Sequence, residues 1–135
     1  MESQGNTVDI LYIEDDIVDV EGVKRIFKKV KESCAIEVAS NGEEALNKLY
    51  GRDGEAKIHP KVILLDINVP KMNGIDLLKI IRKDPSLAFT EVFILTNAYT
   101  KEDKLAIKDL NVRGQIIKPL EYGDALNIYW ATHHV

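Results

Sequence analysis

Four places in this chain carry side chains that could do chemistry together. They are the acidic run Glu14-Asp15-Asp16, the isolated Asp66, the hydroxyl of Thr96 and the amine of Lys118. Each closes a short apolar run. Carboxylates brought into one place repel each other unless a cation sits among them. Hard oxygen donors with open positions suit Mg2+, which keeps several waters and accepts phosphate oxygens as ligands. A lysine and a hydroxyl beside such a cluster offer donors to an incoming anion. The set suits phosphoryl transfer by positioning and charge neutralisation, with Asp66 as the nucleophile that forms an acyl phosphate. Singly, each residue has a plainer role: Asp and Asn punctuate strand ends as turn formers, Thr96 fits a strand, and Lys118 fits a solvated surface. The four in register are what point to a site.

The elements that must position them alternate. Apolar runs at 8–14, 35–39, 62–66, 91–96 and 115–118 read as strands. Helical periodicity fills 17–31, the stretch after Ser40, 75–82, 101–110 and 121 to about 133. Ser40, with Glu43 three residues on, reads as a capping box for the second helix. The turn-rich segment 51–60 reads as a loop. The run Val62-Ile63-Leu64-Leu65 is apolar throughout, so both its faces are covered. Strands alternating with helices predict a parallel sheet with helices on both faces. Ligands bind such a sheet beyond the carboxyl ends of its strands, where the four groups stand.

Composition narrows the rest. The length fits one domain, with a polar tail expected at 1–7 and the domain at 8–135. The net charge of −4 disfavours holding a polyanion, so no nucleic-acid partner is expected. A single cysteine, Cys34, permits no internal disulfide and fits a reducing compartment. No apolar run approaches membrane-spanning length. A cytoplasmic protein with no membrane contact is expected.

The segments Ile10-Leu11-Tyr12-Ile13-Glu14-Asp15-Asp16, Leu64-Leu65-Asp66-Ile67-Asn68-Val69-Pro70-Lys71-Met72-Asn73-Gly74, Phe93-Ile94-Leu95-Thr96 and Ile116-Ile117-Lys118-Pro119 resemble, in order and spacing, the receiver domains of two-component response regulators. The resemblance implies a flavodoxin-like (βα)5 fold with strand order 2-1-3-4-5. It implies that Asp66 takes a phosphoryl group from a phosphohistidine on a sensor histidine kinase or a phosphotransfer protein. It implies that Asp15, Asp66 and the backbone carbonyl of Asn68 ligate Mg2+, with Glu14 acting mainly through a metal-bound water. Thr96 would follow the phosphoryl group, Lys118 would pair with its oxygen, and the Lys118-Pro119 bond would be cis. The start Glu14 to Asp19 and the ending Tyr129-Trp130 are similar to single-domain regulators that work with bacterial phytochromes. The first helix, with Lys24, Arg25, Lys28, Lys29 and Lys31, would border the kinase-docking surface.

Three departures stand out. Asn97 replaces a very small residue after the switch hydroxyl, Gln115 replaces the switch aromatic, and no effector domain follows the last helix, which reads as a stand-alone receiver. The expected function is a switch that signals to a downstream protein by phosphorylation-dependent binding. It is not an enzyme beyond its own phosphorylation and dephosphorylation. A phosphatase using Asp66 would need a second acid two residues on, where Asn68 stands. A phosphorylation-independent binding module would not need the intact acidic set, and a nucleotide-binding domain would need a glycine-rich loop after the first strand. On the last helix, Tyr122, Ala125, Leu126, Ile128, Tyr129 and Trp130 span an arc of about 200°, wider than one sheet contact needs. A wide contact with the neighbouring helix would use some of it, and the surplus points to a contact with a partner or with a second copy in a homodimer.

Overall fold

The structure, a computed structural model, describes residues 6–133. The elements follow as β1 (Asn6–Ile13), α1 (Ile17–Val30), β2 (Ile36–Ala39), α2 (Gly42–Tyr50), β3 (Ile58–Leu65), α3 (Gly74–Lys83), β4 (Glu91–Thr96), α4 (Lys101–Ile107), β5 (Gly114–Ile117) and α5 (Tyr122–Ala131). All pairings are parallel, in the order β2-β1-β3-β4-β5. This is the flavodoxin-like arrangement expected. The chain builds outward from β1 to β2, then crosses back to place β3 on the other side of β1. That reversal opens the crevice between the ends of β1 and β3.

Alternation along the strands splits the core in two. Leu11, Ile13, Ile63, Leu65 and Ile94 pack with residues of α2, α3 and α4. Ile10, Tyr12, Val62, Leu64, Phe93 and Leu95 pack with α1 and α5. Where both faces are covered, at Ile10 to Ile13, Val62 to Leu65 and Val92 to Leu95, the central strands are apolar at every position.

Three local readings are corrected. Most of the expected tail, residues 1–5, lies outside the described residues, but Asn6 and Thr7 belong to β1, opposite Ile58 and His59. The loop after α2 ends sooner than expected, because β3 already includes His59 and Pro60. β4 joins β3 only from Val62 onward. At Pro60 the strand is therefore an edge, where a missing N–H is tolerated. Finally, Asn41 rather than Ser40 caps α2: its Oδ1 accepts from Glu44 N–H at 2.8 Å, and Glu44 Oε1 reaches back to Ser40 N–H at 2.6 Å. Glu44 thus binds the residue before the cap, and the two bonds do not close a capping box on Asn41.

Gly74 fixes how closely α3 approaches the end of β3. A Cβ there would lie 2.6 Å from Ile67 Cα and 2.8 Å from the Asp66 carbonyl oxygen. Both obstacles are backbone, so only glycine lets the helix start this close behind Asp66.

Candidate functional site

The last rungs of the sheet hold the chemistry-bearing residues. Glu14 N–H donates to Ala39 O (2.9 Å), Asp66 N–H to Ile13 O (3.0 Å), and Lys118 N–H to Thr96 O (2.9 Å). Each backbone is locked by the strand beside it just where its side chain leaves for the rim. The Lys118-Pro119 peptide is cis, as the resemblance implied.

At the rim, the Lys118 ammonium binds three carboxylates at once. Its Nζ lies 2.6 Å from Glu14 Oε1, 2.8 Å from Asp19 Oδ2 and 2.9 Å from Asp66 Oδ2. Glu14 and Asp66 are buried, at 2% and 4% exposure. Glu14 Oε1 also accepts from the Tyr12 hydroxyl, and Glu14 Oε2 from Asp16 N–H. Asp66 Oδ1 accepts from Asn68 N–H at 2.9 Å. The amide of Asn68 donates to the fully buried Thr96 hydroxyl, also at 2.9 Å. Asp66, Thr96, Lys118, Glu14 and Asn68 therefore converge as expected.

Burial raises the Glu14 carboxyl, the neighbouring Asp66 charge adds to that, and hydrogen bonds from Lys118 and Asp16 work against it. Burial also opposes the Lys118 ammonium, but hydrogen bonds to Asp19, Glu14 and Asp66 hold it well above the ordinary lysine value. Burial pushes the Tyr12 hydroxyl far up, helped by the Glu14 charge. Tyr12 therefore stays a donor to Glu14.

Of the residues expected around a metal, Glu14, Asp66 and Asn68 meet at this rim, and Asp15 follows Glu14 with an exposed side chain. Among the described residues no group of three or more His, Cys, Asp or Glu is placed to hold a metal ion. The cation between the buried carboxylates is Lys118 itself. Asp15 is exposed and is not one of its partners. The donors that the resemblance names for a metal are all oxygens: the Asp15 and Asp66 carboxylates and the Asn68 carbonyl. That chemistry fits a hard divalent cation completed by water.

Asp19 is the site residue that the sequence reading missed. It lies in the first turn of α1, which Asp16 caps by accepting from Val18 N–H and Asp19 N–H. Its signal was an acidic residue one helical turn past the acidic strand end, pointing to the same rim. Of the two departures inside the fold, Asn97 and Gln115 are both exposed.

A family model described as the response regulator receiver domain matches residues 10–129. Among solved structures, a two-component response regulator from Legionella pneumophila is 55% identical, with a TM-score of 0.89 over 95% of this chain and 99% of that one. The response regulator Rcp1 of Synechocystis is 29% identical over 110 residues, 81% of this chain and 75% of that protein. Its Mn(2+)-bound structure superimposes with a TM-score of 0.74 at 25% identity, covering 92% of this chain and 88% of that one. The bacteriophytochrome response regulator RtBRR is 28% identical, with a TM-score of 0.76 over 93% of this chain and 78% of that one.

If Lys118 is the cation on which the buried carboxylates depend, Lys118→Met will destabilise the fold by about 3–5 kcal/mol at neutral pH, the usual cost of breaking a buried pair. Without Lys118 the Glu14 carboxyl titrates higher still. A raised carboxyl favours the fold while protonated and loses that contribution as pH rises through its folded-state value. Urea denaturation should therefore show the deficit shrinking as pH falls into the ordinary carboxylate range. An equal deficit at both pH values would contradict this role.

Proposed function

The chain belongs to the response regulator receiver family, and on that premise we propose that Asp66 accepts a phosphoryl group and that the phosphorylated surface signals to a downstream protein. The observation that carries the reading is the Lys118 ammonium on Asp66 Oδ2, with Thr96 and Asn68 at the same rim. The Asp66 carboxylate is a buried nucleophile, oriented by Asn68 N–H and Lys118.

In the transfer, an Asp66 oxygen bonds to the phosphorus of a phosphohistidine on a sensor histidine kinase or phosphotransfer protein. The phosphorus–nitrogen bond breaks, and its electron pair returns to the imidazole. The new aspartyl phosphate brings three acceptor oxygens beside Lys118 and the Thr96 hydroxyl. Lys118 neutralises the oxygens as charge develops, and Thr96 leaves Asn68 to donate to them. Loss of the group is the attack of water on phosphorus with the Asp66 carboxylate leaving. A divalent cation, Mg2+ by the donor set, would be held by Asp15, Asp66 and the Asn68 carbonyl, with Glu14 reaching it through water. When bound it supplies charge neutralisation and a template for the phosphate oxygens.

On this reading the protein is a switch in the cytoplasm with no turnover product. The likeness to the bacteriophytochrome regulator RtBRR supports a phytochrome-type kinase as the donor. Among the described residues no helix is long and apolar enough to cross a membrane, and the acidic charge favours no nucleic-acid partner.

The assignment is tested by intact mass after incubation with acetyl phosphate and Mg2+. One acid-stable, base-labile modification is expected, absent from Asp66→Asn and abolished by excess EDTA. An equal yield in either condition would overturn the assignment.

The last helix supports a second copy of this chain as a partner. Ala125, Ile128 and Ala131 are buried in the core, while Trp130 and Tyr122 remain 61% and 49% exposed. Trp130 lies against the His133 ring at 5.7 Å. Aromatics in such a position are typical interface anchors. Light scattering should show a dimer that Trp130→Glu dissociates. A wild type that stays monomeric at high concentration, with and without beryllofluoride, would rule this out.

A further inference from the structure

The Lys118 ammonium has three N–H donors, and in this structure all three are taken by carboxylates. If Asp66 accepts a phosphoryl group, as proposed above, acceptor oxygens arrive beside an ammonium with no free donor. One of the three bonds must then be surrendered, and the surroundings decide which.

Glu14 is the least able to yield. Its side chain is 1% exposed, so losing the ammonium would leave a buried carboxylate without its cation. Asp66 carries the phosphoryl group itself, so its share of Lys118 passes to the phosphate. The Asp19 side chain is 36% exposed, and water can replace the ammonium there. Its negative charge also opposes the incoming phosphate.

We infer that Asp19 is a positioning residue that holds the Lys118 donor reserved for the phosphoryl group, is displaced when that group arrives, and so carries the phosphorylation state into the first turn of α1. The consequence is local and specific. Asp19 is held in that turn by its N–H on Asp16 Oδ1, at 3.1 Å. The neighbouring Ile17 and Val18 are 74% and 75% exposed. Releasing Asp19 therefore changes the order of a turn that presents two aliphatic side chains to any protein docked there. The output so carried lies on the α1 side of the crevice.

The test is amide NMR on the full chain, with and without Mg2+ and beryllofluoride, for the wild type, Asp19→Asn and Asp19→Glu. In the wild type, amides of residues 17–20 should shift together with those of Asp66 and Thr96. In Asp19→Asn, the α1 shifts relative to those at Asp66 should fall by about half or more, because the charge that tied the turn to Lys118 is gone. Asp19→Glu keeps the charge and should restore the ratio. A role confined to structure would not follow charge in this way. Shifts at Asp66 with an unmoved α1, or the same ratio in Asp19→Asn as in the wild type, would overturn the inference alone. A wild type with no shift at Asp66 and no mass gain from acetyl phosphate would overturn the acceptor reading and the inference with it.

Discussion

One ammonium shared among three carboxylates is the interaction on which the rest of this site depends. Glu14 and Asp66 are buried within a few ångströms of the same nitrogen. Without that nitrogen, two buried carboxyl groups would face each other with no ammonium between them, and the cost would fall on the fold. With it, the two carboxyl groups share a cation, and every donor of Lys118 is taken.

The sheet delivers that geometry. Lys118 and Glu14 are 104 residues apart in the chain, yet parallel strands in the order 2-1-3-4-5 bring their carboxyl ends to one rim. Backbone bonds from Glu14, Asp66 and Lys118 to the neighbouring strand ends fix where each side chain departs. Gly74 lets α3 start against the backbone of Asp66 and Ile67, which holds the loop after β3 from behind. The helices serve as packing for two apolar faces, and α1 alone among them sends a charged side chain back to Lys118 through Asp19.

Much of this was legible in the residues. Asp66, Thr96 and Lys118 end apolar runs, and a polar group that ends a buried strand can only stand at its rim. The fold followed from the alternation of strand and helix patterns. Other features depend on partners that a local pattern does not contain. Pro60 reads as a loop residue until β4 is seen to stop short of it. Ser40 and Asn41 are both good caps, and the approach of Glu44 N–H to Asn41 Oδ1 decides between them. That Lys118 reaches Glu14, Asp19 and Asp66 together is likewise invisible in the pattern, because its four-carbon stem crosses from the end of β5 to the ends of β1 and β3. The role of Asp19 is not legible in the same way, because helix phase alone does not show that the lysine following β5 will meet it.

The central claim is that Lys118 stabilises the resting carboxylates and is handed over to the phosphoryl group. A crystal structure of the protein with Mg2+ and beryllofluoride on Asp66 tests it most directly. The account predicts Lys118 Nζ within hydrogen-bonding distance of a fluorine and still on Glu14, with Asp19 no longer bound to it. Beryllofluoride seated on Asp66 while Nζ keeps all three carboxylate contacts would contradict it.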